Sequence, residues 1–365
     1  MIGRYCDING EQEISNLEYG FDFRQPKYRR EVFLRFYEFH LKYKAHAGAI
    51  YYAFPYLHRQ LKMTTEQRLW FAFINGCSQN VISTYLIFDQ FPSLESFNLQ
   101  DFNKWFRSNY EKIGWDTDRR YVKNSLDKCI LSYIENLDGR TQEQFYNEIL
   151  TTNDKYKNFE LLWDYVINNF YTFGRLATFS FIEFLKVSGL NVDCNSLFLD
   201  DINGSKSHRN GLCKVLGRDD MDWWKNNITY SKEFITWLSK EGEALLNDAR
   251  SRYDHPDLSY FTLETTLCCY KSWHRPNRRY PNVYNDMFYE RIKYASKKWN
   301  EKSKFDIFWD CRKESLPKHL LLEYNKKDYG LNPVKQNHYL NTGQVIMMDK
   351  EWQCFSNNYN DYTRP

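Results

Sequence analysis

Apolar residues recur along most of this chain at helical spacing. From Pro26 the run "PKYRREVFLRFYEFHLKYKAH" sets Val32, Phe33, Phe36, Phe39, Leu41 and Tyr43 around a broad apolar face, with the proline suited to a first turn. "TTEQRLWFAFING" opens with Thr64 and Gln67 at capping-box spacing. "NVISTYLIFDQFP" reads as a further helix stopped by Pro92. The same periodicity continues through "LQDFNKWFRSNYEKIG", "DRRYVKNSLDKCILSYIENL", "TQEQFYNEIL", "NFELLWDYVINNF" and "GRLATFSFIEFLKVSG". A short helix is expected from about Ser207 to Gly217. "SKEFITWLSKEGEALLNDARSRY", "FTLETTLCCYKSW" and "NVYNDMFYERIKYASKKW" complete the series. Period-two runs are scarce, and only "GQVIMMDKEWQCF" near the C-terminus suggests a β-hairpin. The expected fold is therefore mostly α, a multi-helical array. Residues 1–25 read as an arm, 26–315 as the helical region with a lobe boundary near residue 150, and 316–365 as an extension.

Composition supports a folded chain: 42% of the 365 residues are hydrophobic and 27% charged, with 15 Gly and 9 Pro. Aromatic residues make up 18%, enough to fill a large core and leave some for stacking on bases. The net charge of +3 does not announce a polyanion partner, so any nucleic-acid contact must rest on local patches. Nine cysteines are scattered with no C-x-x-C pair, and the polar start "MIGRYCDINGEQEI" has no signal-peptide pattern. Reduced thiols in a cytoplasm are the expectation, and no apolar run reaches membrane-spanning length.

Several chemistries are disfavoured by the motifs the sequence lacks. No G-x-x-x-x-G-K-[ST] loop, G-x-G-x-x-G turn, G-x-S-x-G elbow, H-E-x-x-H helix or zinc-deaminase pattern is present. Five stretches remain. In "EFHLKYKAH", His40 and Lys44 stand four apart, as do Glu38 and Lys42, so the stretch is either a substrate-facing cluster or a solvated charged face. In "INGCSQN", Asn75 and Gln79 offer amides that could read a base edge or cap helices. "NNFYTFGRLATFSFIEFL" turns at Gly174 before Arg175, an outline similar to the hairpin by which helical DNA glycosylases hold backbone phosphates. "GSKSHRNGL" places Lys206, His208, Arg209 and Asn210 at a helix start that favours an anion, with Ser205 or Ser207 as an ordinary cap in the plainer reading. "YKSWHRPNRRYPNVYND" gathers Trp273, His274, Arg275, Arg278, Arg279, Tyr280, Asn282, Asn285 and Asp286 between stiffening prolines.

The stretches "RFYEFHLKYKAHAGAIYY", "QRLWFAFINGCSQN", "FGRLATF", "SHRNGL" and "LETTLCCYKSWHRPNRRYPNVYND" together resemble the phage α-glutamyl/putrescinyl-thymine pyrophosphorylase family, whose members act as amino acid:DNA transferases. The likeness runs from about residue 26 to about 315. It implies a fold related to helical DNA glycosylases. It also implies a substrate, double-stranded DNA carrying 5-hydroxymethyluracil activated as a pyrophosphate ester by a separate kinase. A free amino acid (Gly, Glu, Ser or Lys) would displace the pyrophosphate, in the host cytoplasm if the chain is phage-encoded.

That chemistry assigns expected roles. Arginine forks at Arg275, Arg278 and Arg279, with His208 and Arg209 opposite, suit pyrophosphate. Arg175, Lys206, Asn210 and His274 would join in holding phosphates. Trp273 and Tyr280 could stack on a flipped base, with His40, Asn75, Gln79, Asn282 and Asn285 lining its pocket. The amine needs a base, for which Glu264, Asp286 and His208 are the candidates in that order. Arg175 or Lys42 would meet the amino acid's carboxylate. A divalent cation such as Mg2+ is compatible with pyrophosphate departure, with Asp286 as ligand, but nothing in the sequence demands one. Cys268 and Cys269 sit in an apolar helix, where inert buried thiols are expected. Two other functions stay open: a non-catalytic reader of modified DNA and a glycosylase-like excision enzyme.

Overall fold

The computed structural model describes residues 26–42, 44, 49–221, 228–273 and 283–316; within these spans the side chains of residues 26–28, 32, 35, 39, 117 and 272–286 lie outside the description. The described residues form fourteen α-helices and no strand, as the periodicity predicts. In chain order they are α1 (Pro26–Lys42), α2 (Ile50–Gln60), α3 (Thr65–Ser78), α4 (Val81–Gln90), α5 (Leu99–Asn109), α6 (Leu126–Leu137) and α7 (Gln142–Ile149). There follow α8 (Lys155–Asn169), α9 (Arg175–Val187), α10 (Lys206–Val215), α11 (Lys232–Arg252), α12 (Tyr260–Trp273), α13 (Val283–Trp299) and α14 (Asp306–Ser315). The suggested hairpin "GQVIMMDKEWQCF" and the flanking arms lie outside the described residues.

The helices start where local chemistry tells them to. Thr64 and Gln67 make the expected capping box, each side chain bonding the other's backbone N–H, and Thr141 with Gln144 repeat it at α7. Asn80 caps α4 by accepting from the N–H groups of Ile82 and Ser83.

The chain divides into two compact units. One is Gly48–Asn195 with Glu290–Glu314. Its centre is aromatic: the Phe73 ring stacks on Tyr133 at 3.9 Å, with Trp70, Phe173 and Phe181 around it. Arg119 is buried there, donating to the Thr172 carbonyl at 3.0 Å and lying 5.3 Å from the Phe173 ring.

The other unit takes the described residues of Met1–Ala47, Ser196–Tyr289 and Ser315–Pro365. It is assembled from segments far apart in sequence. The Tyr37 hydroxyl of α1 donates to the Ser259 carbonyl at 3.0 Å and lies 2.7 Å from Thr262 Oγ1. Arg29 pairs with Asp219 at 2.8 Å, and Arg30 with Asp248 at 2.6 Å. Its tightest contact is between α10 and α12. A Cβ built on Gly211 would stand 2.2 Å from the Leu267 carbonyl oxygen, so the two helices meet backbone to backbone. Only glycine permits that approach.

Candidate active site at the α10–α12 crossing

Close approach at Gly211 brings the flanking turns of the two helices into contact. His208 lies one turn before Gly211 on α10, and its Nδ1 is 2.9 Å from Glu264 Oε1 on α12. His208 Nε2 is 2.8 Å from the Leu197 carbonyl, which can only accept, so that nitrogen carries a proton. Nδ1 therefore faces Glu264, and the two contacts hold the ring in one orientation.

The exposure pattern of α12 singles out one face. From Phe261 to Lys271 every residue is buried except Glu264 and Cys268, which stand four apart on one face. The Glu264 side chain is 14% exposed, His208 only 1%. Cys268 Sγ lies 3.6 Å from Glu264 Oε1. Burial, reinforced by the Glu264 charge, pushes the Cys268 thiol well above its ordinary value, so it is a thiol and not a thiolate nucleophile. One turn further, Lys271 is buried and its ammonium donates to the Ser207 hydroxyl of α10.

Arg209 follows His208 and is fully buried. One guanidinium nitrogen, Nη1, donates to the Ile202 carbonyl at 2.9 Å and to Ser205 Oγ at 2.8 Å, and the group lies 4.3 Å from the Tyr230 ring centroid. Its Nε and Nη2 are buried with no hydrogen-bond partner, and no acidic side chain among the described residues pairs with it. A buried guanidinium with two idle donors is costly unless an anion reaches it. Ser205 stands at the N-cap of α10 but caps nothing with its side chain, because its hydroxyl is engaged by Arg209 and by the Asp201 carbonyl.

The ligand-type atoms of His208, Glu264 and Cys268 all lie within 4.8 Å of one another, the spacing of a three-ligand metal site. With Nε2–H bonded to the Leu197 carbonyl, His208 turns Nδ1 toward Glu264 and Cys268, an orientation that serves proton transfer and cation binding alike.

A family model described as amino acid:DNA transferase matches residues 49–279, a span that includes both crossing helices. The chain belongs to that family. A serinyltransferase of Salmonella phage ViI is similar over 274 residues at 31% identity, and the match covers 71% of this chain. The chain spans 66% of that relative, just under two thirds of its length. No solved structure matches the chain. No helix among the described residues is long and apolar enough to cross a membrane.

The structure thus brings Glu264, His208 and Arg209 onto two touching helices. Lys206 is half-buried at the first turn of α10, and Asn210 is fully buried on it. His40 is fully buried with its ring 4.3 Å from Phe36, and burial holds its imidazole down to about 3. α1 ends at Lys42, which is exposed, so Lys44 does not share a helix face with His40. Asn75 is buried in the α3–α4 junction, its Oδ1 accepting from Thr84 Oγ1 at 3.0 Å. Gln79 turns that junction with a left-handed backbone (φ 48°), and its Nε2 is buried without a partner. Arg175 is the first residue of α9, with Gly174 at the N-cap, so the expected turn between two helices is present. His274, Arg275, Arg278, Arg279, Tyr280 and Asn282 lie outside the described residues, as do the side chains of Trp273, Asn285 and Asp286.

Three participants were not expected from the sequence: Lys271, Ser207 and Tyr230. A signal existed for the first. Glu264, Cys268 and Lys271 follow a four–three spacing along α12, which puts them on one stripe. Ser207 and Tyr230 carried no such pattern.

Proposed function

We propose that this protein joins the amine of a free amino acid to a thymine-derived base in DNA, displacing pyrophosphate from an activated 5-hydroxymethyluracil. The observation that carries this reading is the Glu264–His208 pair, held at a backbone-tight crossing inside the family-matched stretch, with the buried cations Lys271 and Arg209 on the same two helices. The attacking amine enters as an ammonium and must lose a proton first. Glu264 takes it, and His208, anchored through Nε2 on Leu197, keeps the carboxylate and proton in line. The nitrogen lone pair then forms the C–N bond at the exocyclic methylene. The C–O bond breaks, and its electron pair leaves on pyrophosphate.

Fixed cations favour that departing charge because they are oriented before the reaction. Arg209, with two idle donors on the helix that carries His208, is suited to it, and Arg275, Arg278 and Arg279 would complete the set. Trp273 and Tyr280 would stack on the flipped base. The phage relative is a serinyltransferase, which makes serine the first amino acid to try.

The test is transfer on DNA containing pyrophosphorylated 5-hydroxymethyluracil with single amino acids, digestion to nucleosides and mass spectrometry. An aminated thymidine is expected. Free base would identify an excision enzyme, and unchanged nucleosides with retained DNA binding would identify a reader. Glu264→Gln should lower the rate by about 10²–10⁴-fold, the usual worth of a general base, with an unchanged melting curve. A wild-type rate in that variant rules Glu264 out as the base.

A further inference from the structure

A second set of polar groups lies in the other unit, away from any assigned role. Gly189, with φ of 111°, ends α9 and lets the chain fold back so that the Leu190 N–H donates to the Leu185 carbonyl. The returning segment forms one wall of a cavity of about 350 Å³, at the small end of the usual range for ligand sites. Thr65 and Arg68 of α3, Glu143 and Asn147 of α7, and Ser188 at the end of α9 line it. Leu150 and Leu190 add apolar wall.

The lining is chemically unfinished. Ser188 is 3% exposed, yet its Oγ has no hydrogen-bond partner. Arg68 spends one guanidinium nitrogen on Thr65 Oγ1 at 3.1 Å, and its Nε is buried without a partner. Glu143 lines the same cavity, but no ion pair within 4.0 Å joins it to Arg68 among the described residues. His58 adds no second positive charge, because burial and the Arg68 charge hold its imidazole down to about 4. The cavity therefore offers one cation, one anion and an idle hydroxyl, held apart.

We propose that this cavity binds a free α-amino acid, with Arg68 and Ser188 holding the carboxylate and Glu143 the ammonium. A DNA phosphate is disfavoured there, since it would meet the Glu143 charge. A zwitterion satisfies both charges at once, and the apolar wall leaves space for a small side chain. The choice of ligand rests on the transferase reading. The cavity chemistry stands independently of it.

Isothermal titration of the whole protein with L-serine, glycine and L-glutamate, without DNA, tests the site. Saturable binding is expected, weakened at least ~10-fold by Arg68→Ala because a charge-assisted contact is lost. Glu143→Gln should weaken serine but leave N-acetylserine, which lacks the ammonium, unaffected. Circular dichroism melting separates loss of binding from loss of fold, and Arg68→Lys should bind with intermediate affinity. Wild-type affinity in Arg68→Ala overturns the proposal, as does binding of inorganic phosphate with the amino acids excluded. Because calorimetry needs neither DNA nor turnover, failure of the transfer assay leaves this result readable.

Discussion

Gly211→Ala should damage both the stability and the activity of this protein through a single methyl group. The added carbon would meet the Leu267 carbonyl oxygen at 2.2 Å, the carbonyl carbon at 2.7 Å and the Leu267 Cα at 3.1 Å. Ordinary contact begins at 3.4 Å. All three obstructing atoms are helix backbone, so no rotamer change can relieve them. The α10–α12 distance must instead grow by about an ångström, as it does where an overpacked site has no side chain free to yield. Overpacking costs about 1–3 kcal/mol, and the upper end is expected against a rigid obstacle. At about 2–4 °C per kcal/mol for domains of 150–250 residues, the melting transition should fall by several degrees.

The same displacement carries the 2.9 Å His208–Glu264 contact beyond about 3.5 Å, where the hydrogen bond is lost. A misplacement of that size in a catalytic group costs about 100-fold in rate. Differential scanning calorimetry and the nucleoside assay read the two effects separately. An unchanged melting profile with an unchanged rate would falsify the backbone-contact argument. A lowered melting temperature with full activity would keep the contact but detach the His208–Glu264 pair from catalysis.

Two further predictions concern stability alone. His40 stays neutral in the folded protein down to about pH 3 but takes up a proton in the unfolded chain below its ordinary value of 6.5. The unfolded state therefore binds more protons between those values, so stability present above pH 6.5 falls as the pH drops towards 3. The slope is about 1.4 kcal/mol per pH unit for one group. His40→Leu should flatten that acid loss in denaturant titrations at pH 7.5 and 4.5, and an identical loss in both proteins refutes it. Asn80→Ala removes the cap of α4 and should cost about 1 kcal/mol, with transfer unchanged below the melting range. A variant as stable as the parent in urea titration would show that the cap bonds to Ile82 and Ser83 contribute nothing.

Local information carried a good deal of this protein. Helix-forming periodicity, the Thr64–Gln67 box and the turn before Arg175 all depend on residues within a few positions, and each is present as read. The candidacy of His208 and Glu264 was also legible, from residue type and from the family resemblance. Their partnership was not. It depends on Gly211, which in the sequence is one glycine of 15 and in the structure is where two backbones touch.

The reading of "INGCSQN" left a base-reading and a capping role open, because amides suit both. Tertiary packing placed Asn75 against Thr84 inside the junction, a contact that residue type does not announce. Contacts such as Tyr37 with Ser259, or Arg29 with Asp219, join residues roughly two hundred positions apart, where periodicity has no reach. What the chain decides alone is which segments become helices, since backbone bonding and apolar spacing are local. Which polar groups meet, and so the site itself, is decided only when helices pack, because burial selects partners by distance in space.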